Sequence, residues 1–250
     1  MRFSRKTATD KQPSARVPEK AVYTAESSQS PFMVGLALLW MLPQLIQLGT
    51  SWSRTLSLVI GLFVVAGSAT MIVTSTPKYR VGLDNRLISL AGLGRGSRAL
   101  NAMCGTGSLA VSLGKEIRQG EVVAADRWKP RKRMPDPAKR TRENVRIEGV
   151  DHIVRVQEAD PLALPFRSGY FHYVGSRFGL SGARRRRREA FIEMLRVLRP
   201  GGYVALAESL PVALWLRYRI LPPLASGYRV GDLRLSRFRF SPIVSAQKLS

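Results

Sequence analysis

The sequence predicts an α/β domain built on a doubly wound, mainly parallel sheet, preceded by two membrane-crossing helices. Three observations carry this expectation. Short apolar runs alternate with helical patterns from residue 98 to residue 207. A glycine turn, Cys104-Gly105-Thr106-Gly107, separates the first apolar run from the first helical pattern. Upstream, residues 31–49 and 55–75 carry no charge, and each run approaches the ~20 residues that span a bilayer core.

Length and composition bound the reading. The chain has 250 residues, enough for one α/β domain and an appendage. Hydrophobic residues make up 45%, so a real core can be buried. The formal net charge of +23 favours an anionic partner: nucleic acid, an anionic lipid surface or a phosphorylated substrate. A single cysteine, Cys104, rules out an internal disulfide framework and fits a reducing compartment. With one cysteine and two histidines, no metal site is expected.

Residues 1–30 read as a flexible, basic cytosolic tail. Asp10, Glu19 and Glu26 speak against a transit peptide. Residues 31–76 read as a transmembrane hairpin. Only Arg54 lies between the two runs, beside the interfacial residue Trp52. Basic residues flank both outer ends, with Lys78, Arg80 and Arg86 on the far side. That places both termini, and the domain over 77–250, in the cytoplasm. A buried helical pair in a water-soluble chain is the competing reading.

The domain begins with a linker and a short helix around residues 87–93, loosened by Gly92, Gly94 and Gly96. Strands follow over 98–103, 121–125, 152–157, 170–176 and 203–207. Helices lie over 109–119, from the proline-rich loop after residue 126 to about 147, and over 189–198. In the last helix Phe191, Met194, Leu195 and Leu198 form one stripe. Strands alternating with helices imply parallel pairing. In such a sheet, ligands bind beyond the carboxyl ends of the strands. The turn at 104–107, Asp126, Asp160 and the pair Ser176-Arg177 all fall at such ends.

These groups suit an adenosine-containing molecule. Glycine lets a ligand approach the backbone. Asp126, about twenty residues on, is placed to accept a ribose diol. Asp160 is suited to an exocyclic amine. Gly105-Thr-Gly-Ser-Leu-Ala110 also satisfies a dinucleotide pattern, so a nicotinamide-cofactor enzyme is one candidate. His152 and His172 lie near strand starts, at the edge opposite these groups, and read as structural.

Further motifs favour another cofactor. Leu100-Asn-Ala-Met-Cys-Gly-Thr-Gly107 and Val122-Val-Ala-Ala-Asp126 come first. Ala159-Asp-Pro-Leu-Ala-Leu-Pro-Phe166, Tyr170-Phe-His-Tyr-Val-Gly-Ser-Arg-Phe-Gly-Leu180 and Met194-Leu-Arg-Val-Leu-Arg-Pro-Gly-Gly202 follow. In this order and spacing they resemble the class I S-adenosylmethionine-dependent methyltransferases, and among them the ubiquinone/menaquinone-biosynthesis type. The resemblance spans about residues 80–210 and implies a Rossmann-like methyltransferase fold with S-adenosyl-L-methionine as cofactor. It implies a cofactor site formed by Asn101, Cys104, Gly105, Thr106, Gly107, Asp126, Asp160, Pro161, Ser176 and Arg177. Gly105, Thr106 and Gly107 would pack on the methionine moiety, and Asp126 would hold the ribose. Asp160 and Pro161 would face the adenine, with Ser176 or Arg177 near the sulfonium and the acceptor.

Three residues depart from the family pattern. Asn101 stands for the usual acidic residue and brings no charge. Met103 replaces a small residue, and His172 replaces an Asp. A domain that keeps the fold as an interaction module without catalysis is therefore the alternative. Arg184, Arg185, Arg186, Arg187 and Arg188 precede a helix that follows the fourth strand. They oppose that helix's dipole, and their position suits the rim of the pocket. With the basic loop over 127–146 they would seat that rim on anionic headgroups, at about 1 kcal/mol per residue. No aromatic-interleaved RNA motif is present, so nucleic acid is a disfavoured partner. A lipophilic acceptor, a quinone-type ring or a lipid, is the expected substrate.

Overall fold

The computed structural model describes residues 23, 59, 61–62, 65–67, 73, 76–129, 136–220 and 230–249. Apart from Tyr23, whose hydroxyl donates to Glu148 Oε1 at 3.3 Å, the tail over 1–30 lies outside the described residues, as do most of the two charge-free runs. Among the described residues, no helix is long and apolar enough to cross a membrane.

The domain opens with helix α1, Pro77–Ser89, ten residues earlier than the helix expected around 87–93. Its start signal is local. Thr76 accepts from the Tyr79 amide through its hydroxyl, and Pro77 occupies the first turn. Tyr79, Leu83 and Leu87 then recur every four residues as a buried face.

Strand β1, Arg98–Ala102, leads through the glycine turn into α2, Ser108–Ile117. Next come β2, Glu121–Asp126, and α3, Pro137–Ile147, which Asp136 caps at the Lys139 amide. Strands β3, Val154–Glu158, and β4, Phe171–Arg177, follow. The short α4, Gly179–Ala183, and a 3-10 turn over Arg184–Arg186 connect to α5, Arg187–Val197. After β5, Leu198–Ala207, come α6, Leu210–Trp215, and a π-helical turn over Leu216–Ile220. The chain closes on the hairpin β6, Val230–Phe238, and β7, Ser241–Lys248.

The sheet order is β3-β2-β1-β4-β5-β7-β6. The first five strands pair in parallel; β7 runs antiparallel to β5 and β6. Motif reading finds the parallel strands but not this edge hairpin, where residues such as Arg234, Leu235 and Arg237 are exposed. One face of the sheet buries Leu83 and Leu87 of α1, Leu109 and Leu113 of α2, and Val145 of α3. The other buries Phe191, Met194 and Leu195 of the predicted stripe, with Val212, Ala213 and Leu216; Leu198 is buried there too, but it opens β5 and does not belong to the helix. Lys248 fixes this second layer by donating to the carbonyls of Leu195 and Leu198 at 2.8 and 2.7 Å.

Candidate functional site

The strand order reverses between β1 and β4, and a doubly wound sheet opens its crevice at such a point. The glycine turn stands on one side of this crevice, and the end of β4 on the other.

The turn is held at its backbone groups by four side chains. The Gly105 amide donates to Asp126 Oδ2 at 2.8 Å. The Gly105 carbonyl accepts from Trp128 Nε1 at 2.9 Å and from Thr141 Oγ1 at 2.8 Å. Asn144 Nδ2 donates to the Thr106 carbonyl at 3.0 Å. Both peptide faces of Gly105 are thus occupied, while its Cα position looks into open space: a Cβ there would meet nothing within 4 Å. With φ at +55°, a side chain would be both strained and in the way. Gly107 is glycine for a second reason, because a Cβ would stand 2.8 Å from Thr141 Cγ2. Trp128, Thr141 and Asn144 carry the turn, yet no motif announces them. Thr141 and Asn144 are three apart and fully buried on a helix rich in charge, which is the available signal.

The sheet register brings Gly105, Asp126 and Asp160 together at the carboxyl ends of β1, β2 and β3. Asp126 is half-buried. Asp160 is engaged twice, by the Leu162 amide at 3.0 Å and by Arg127 at 3.1 Å. That ion pair is surface-exposed, so a ligand can compete with it at small cost. Pro161 is half-buried in the same turn. The turn is positioned from α5. Glu193 accepts from the Leu164 amide, and Arg196 donates to the carbonyls of Leu164 and Phe166. The late motif and the Asp-Pro-Leu-Ala-Leu-Pro-Phe segment are therefore two halves of one clamp.

Asn101 is 1% exposed; its amide donates to the Gly175 carbonyl, while its Oδ1 has no partner. Ser176 Oγ is likewise buried without a partner, against Gly179 and Met103. Met103 takes φ +51° and packs on the core beside these residues. Cys104 is not poised as a nucleophile: burial and nearby Asp126 push its thiol well up. Arg177 donates to Asp84, a fully buried carboxylate on α1, at 3.2 Å. His172 lies at the opposite edge, where Nδ1 accepts from the Arg98 amide. Among the described residues no group of His, Cys, Asp and Glu is arranged to hold a metal.

Motif reading misses two buried carboxylates. Asp84 accepts from Ser108 Oγ at the first residue of α2. Glu208, after β5, accepts from the amides of Leu180 and Ser181 at 2.8 and 3.0 Å and from Ser181 Oγ at 2.6 Å. Burial raises both carboxyls above the usual range, against the opposing effect of their donors.

The fold is the Rossmann-like one of solved methyltransferases. Residues 99–202 match the family model described as a methyltransferase domain. The chain is 34% identical over 143 residues to the ubiquinone/menaquinone biosynthesis C-methyltransferase of Yersinia enterocolitica, covering 56% of this chain and 51% of that protein. It thus spans about half the length of the curated relatives it matches. A SAM-dependent methyltransferase from Aquifex aeolicus superposes with TM-score 0.51 at 19% identity, over 65% of this chain and 88% of that one. Geranyl diphosphate methyltransferase in complex with SAM gives 0.53 at 14%, over 73% and 91%. The 4+2 cyclase SpnF gives 0.54 at 17%, over 68% and 81%. These likenesses show the fold.

The residues present fit an adenosyl cofactor. Gly105 leaves the space that a Cβ would fill, Asp126 stands beside it, and Asn101 Oδ1 is a buried acceptor without a donor.

Proposed function

We propose that this chain is a membrane-anchored S-adenosylmethionine-dependent methyltransferase acting on a lipophilic acceptor, a quinone-type ring or a lipid. The observation that carries the proposal is the bare, open Gly105 tied to Asp126 at adjacent strand ends. Asp126 receives the ribose, Asp160 and Pro161 border the adenine, and residues 105–107 seat the methionine moiety. Asn101 Oδ1 is an acceptor for that moiety's ammonium, without the charge of the usual acid. Ser176 and Arg177 face the acceptor side. When bound, S-adenosylmethionine supplies a methyl group on a sulfonium, open to direct attack by a nucleophilic acceptor atom. The protein's part is positioning, with reacting atoms held ~3–3.5 Å apart in line.

The Yersinia relative, a C-methyltransferase of ubiquinone/menaquinone biosynthesis, supports a quinone-type ring and carbon as the methylated atom. The charge-free runs support the anchor. The rim supports lipid headgroups as partners. Arg184, Arg185, Arg186 and Arg188 are exposed. Nearby, Arg187 stacks on Trp215 and Arg217 on Tyr218. Leu210, Leu214 and Tyr218 recur every four residues as exposed apolar side chains at 57%, 38% and 66%. Such a mix of arginine and apolar side chains suits an anionic bilayer surface.

The test is transfer of a labelled methyl group from S-adenosylmethionine to the lipid extract of cells with and without the protein. A labelled lipophilic product that depends on the protein is expected. Binding of the cofactor with no labelled product in any fraction would favour the second reading, a non-catalytic module, whose motive is the missing charge at Asn101.

A further inference from the structure

We propose that Arg80 and Arg177, gathered around buried Asp84, form a receptor for one anionic group at the acceptor end of the crevice. The inference rests on the methyltransferase reading for its choice of ligand, though not for the presence of the receptor. It means that the acceptor binds through an ionised oxygen, as a phenolate, enolate or carboxylate on its ring.

The cluster lies where Asp84 of α1 reaches Arg177 at the end of β4. Arg80 and Asp84 lie one turn apart on α1 and share a face. Asp84 is fully buried, bonded to Ser108 Oγ through Oδ2 and to Arg177 Nη1 through Oδ1 at 3.2 Å. Arg177 sits at the last position of β4, and its side chain keeps 20% exposure. The Arg80 guanidinium is half-buried and makes no hydrogen bond among the described residues. One carboxylate thus serves two guanidinium groups, and the cluster keeps a net charge of about +1 in a place partly shielded from water.

A half-buried charge that shares its one counter-charge with a second cation is costly, and the price shows at Arg80. Burial, then the neighbouring Arg177 charge, lower its affinity for its proton; Asp84 only partly opposes them. Asn101, near the same crevice, adds no negative charge to compensate. Tyr173, beneath on the same face of the sheet, also feels Asp84, and its hydroxyl is buried without a partner. A planar anion would complete this cluster, because guanidinium groups bind carboxylate-like oxygens in pairs. Asp84 acts as a positioning residue that holds Arg177 in place.

The test uses the full chain in detergent, saturated with S-adenosylhomocysteine. Salicylate is the anionic ring probe and salicylamide its neutral counterpart. Salicylate is expected to bind about tenfold more tightly. Arg80→Gln and Arg177→Gln should each remove at least about fivefold of that preference and leave salicylamide unchanged. Arg80→Gln breaks no side-chain hydrogen bond among the described residues, so it stays informative if Arg177→Gln exposes Asp84 and unfolds the domain. The second arm compares S-adenosylhomocysteine with 5′-methylthioadenosine, which lacks the amino-acid moiety. If the variants weaken only the former and leave salicylate alone, the anion is the cofactor's own carboxylate and the acceptor assignment is overturned. If neither variant changes any anion's affinity, the receptor is overturned. A salicylate preference in a chain that binds no adenosyl compound would sink the methyltransferase reading and leave the receptor standing.

Discussion

The two sides of the crevice are built by different means. The side formed by the ends of β1, β2 and β3 is held by side chains that grip backbone groups. Gly105 is gripped at both its amide and its carbonyl, and Asp126 reaches it from the next strand. The side formed by the ends of β4 and β5 is held by buried carboxylates that reach across the sequence, Asp84 to Arg177 and Glu208 to Leu180 and Ser181. A backbone cradle shapes itself around a ligand that never changes. Long-range charged pairs can be re-chosen without disturbing it. On the function proposed above, this difference separates a fixed side for the cofactor from an adjustable side for the acceptor.

The comparison breaks most easily at Glu208. Glu208→Gln leaves one buried acceptor for two backbone donors and should cost about 3 kcal/mol, read as a fall in melting temperature of the detergent-solubilised chain. Cofactor affinity should change far less, since the carboxylate serves the other side. The pH dependence sharpens this. Burial raises the folded Glu208 carboxyl, so the folded chain takes up this proton at higher pH than the unfolded one. That contribution to stability is present below the unfolded value and is lost as pH rises through the folded value. The melting temperature of wild type relative to Glu208→Gln should therefore increase as pH falls from 7 towards 5.

Thr141→Ala tests the backbone side. It removes one donor to the Gly105 carbonyl and the methyl packed on Gly107, at about 1–2 kcal/mol of stability. Here cofactor affinity should fall together with melting temperature, unlike the Glu208 result. The smallest effect belongs to Arg127→Gln. Its pair with Asp160 is exposed on both sides, so stability should shift by less than about 1 kcal/mol in thermal melts.

The same division governs what the sequence reveals. Gly105, Gly107, Asp126 and Asp160 are legible because glycine turns and strand-end acids keep a fixed spacing. The five parallel strands are legible because buried strands read as apolar runs. The start of α1 is missed although Thr76-Pro77 marks it, because its apolar stripe is interrupted by Asp84. That interruption is itself the trace of the Asp84–Arg177 pair, whose partners lie 93 residues apart. Trp128, Thr141 and Asn144 are hidden for a similar reason. They act on a turn far away in sequence, and nothing in their own neighbourhood requires them. Glu208 follows a strand like many ordinary turn residues, and only the fold shows that two amides point at it.

The most direct measurement is calorimetry of the full chain in detergent with S-adenosylmethionine, on wild type and on Gly105→Val. A side chain at 105 would enter open space, where its Cβ meets nothing within 4 Å. Wild type should bind, and Gly105→Val should lose at least about a hundredfold in affinity, or about 2.7 kcal/mol. Its melting temperature should fall only by what a strained backbone costs, about 1–2 kcal/mol. A wild type that gives no heat at millimolar cofactor, or a Gly105→Val chain that binds as well as wild type, would contradict the account.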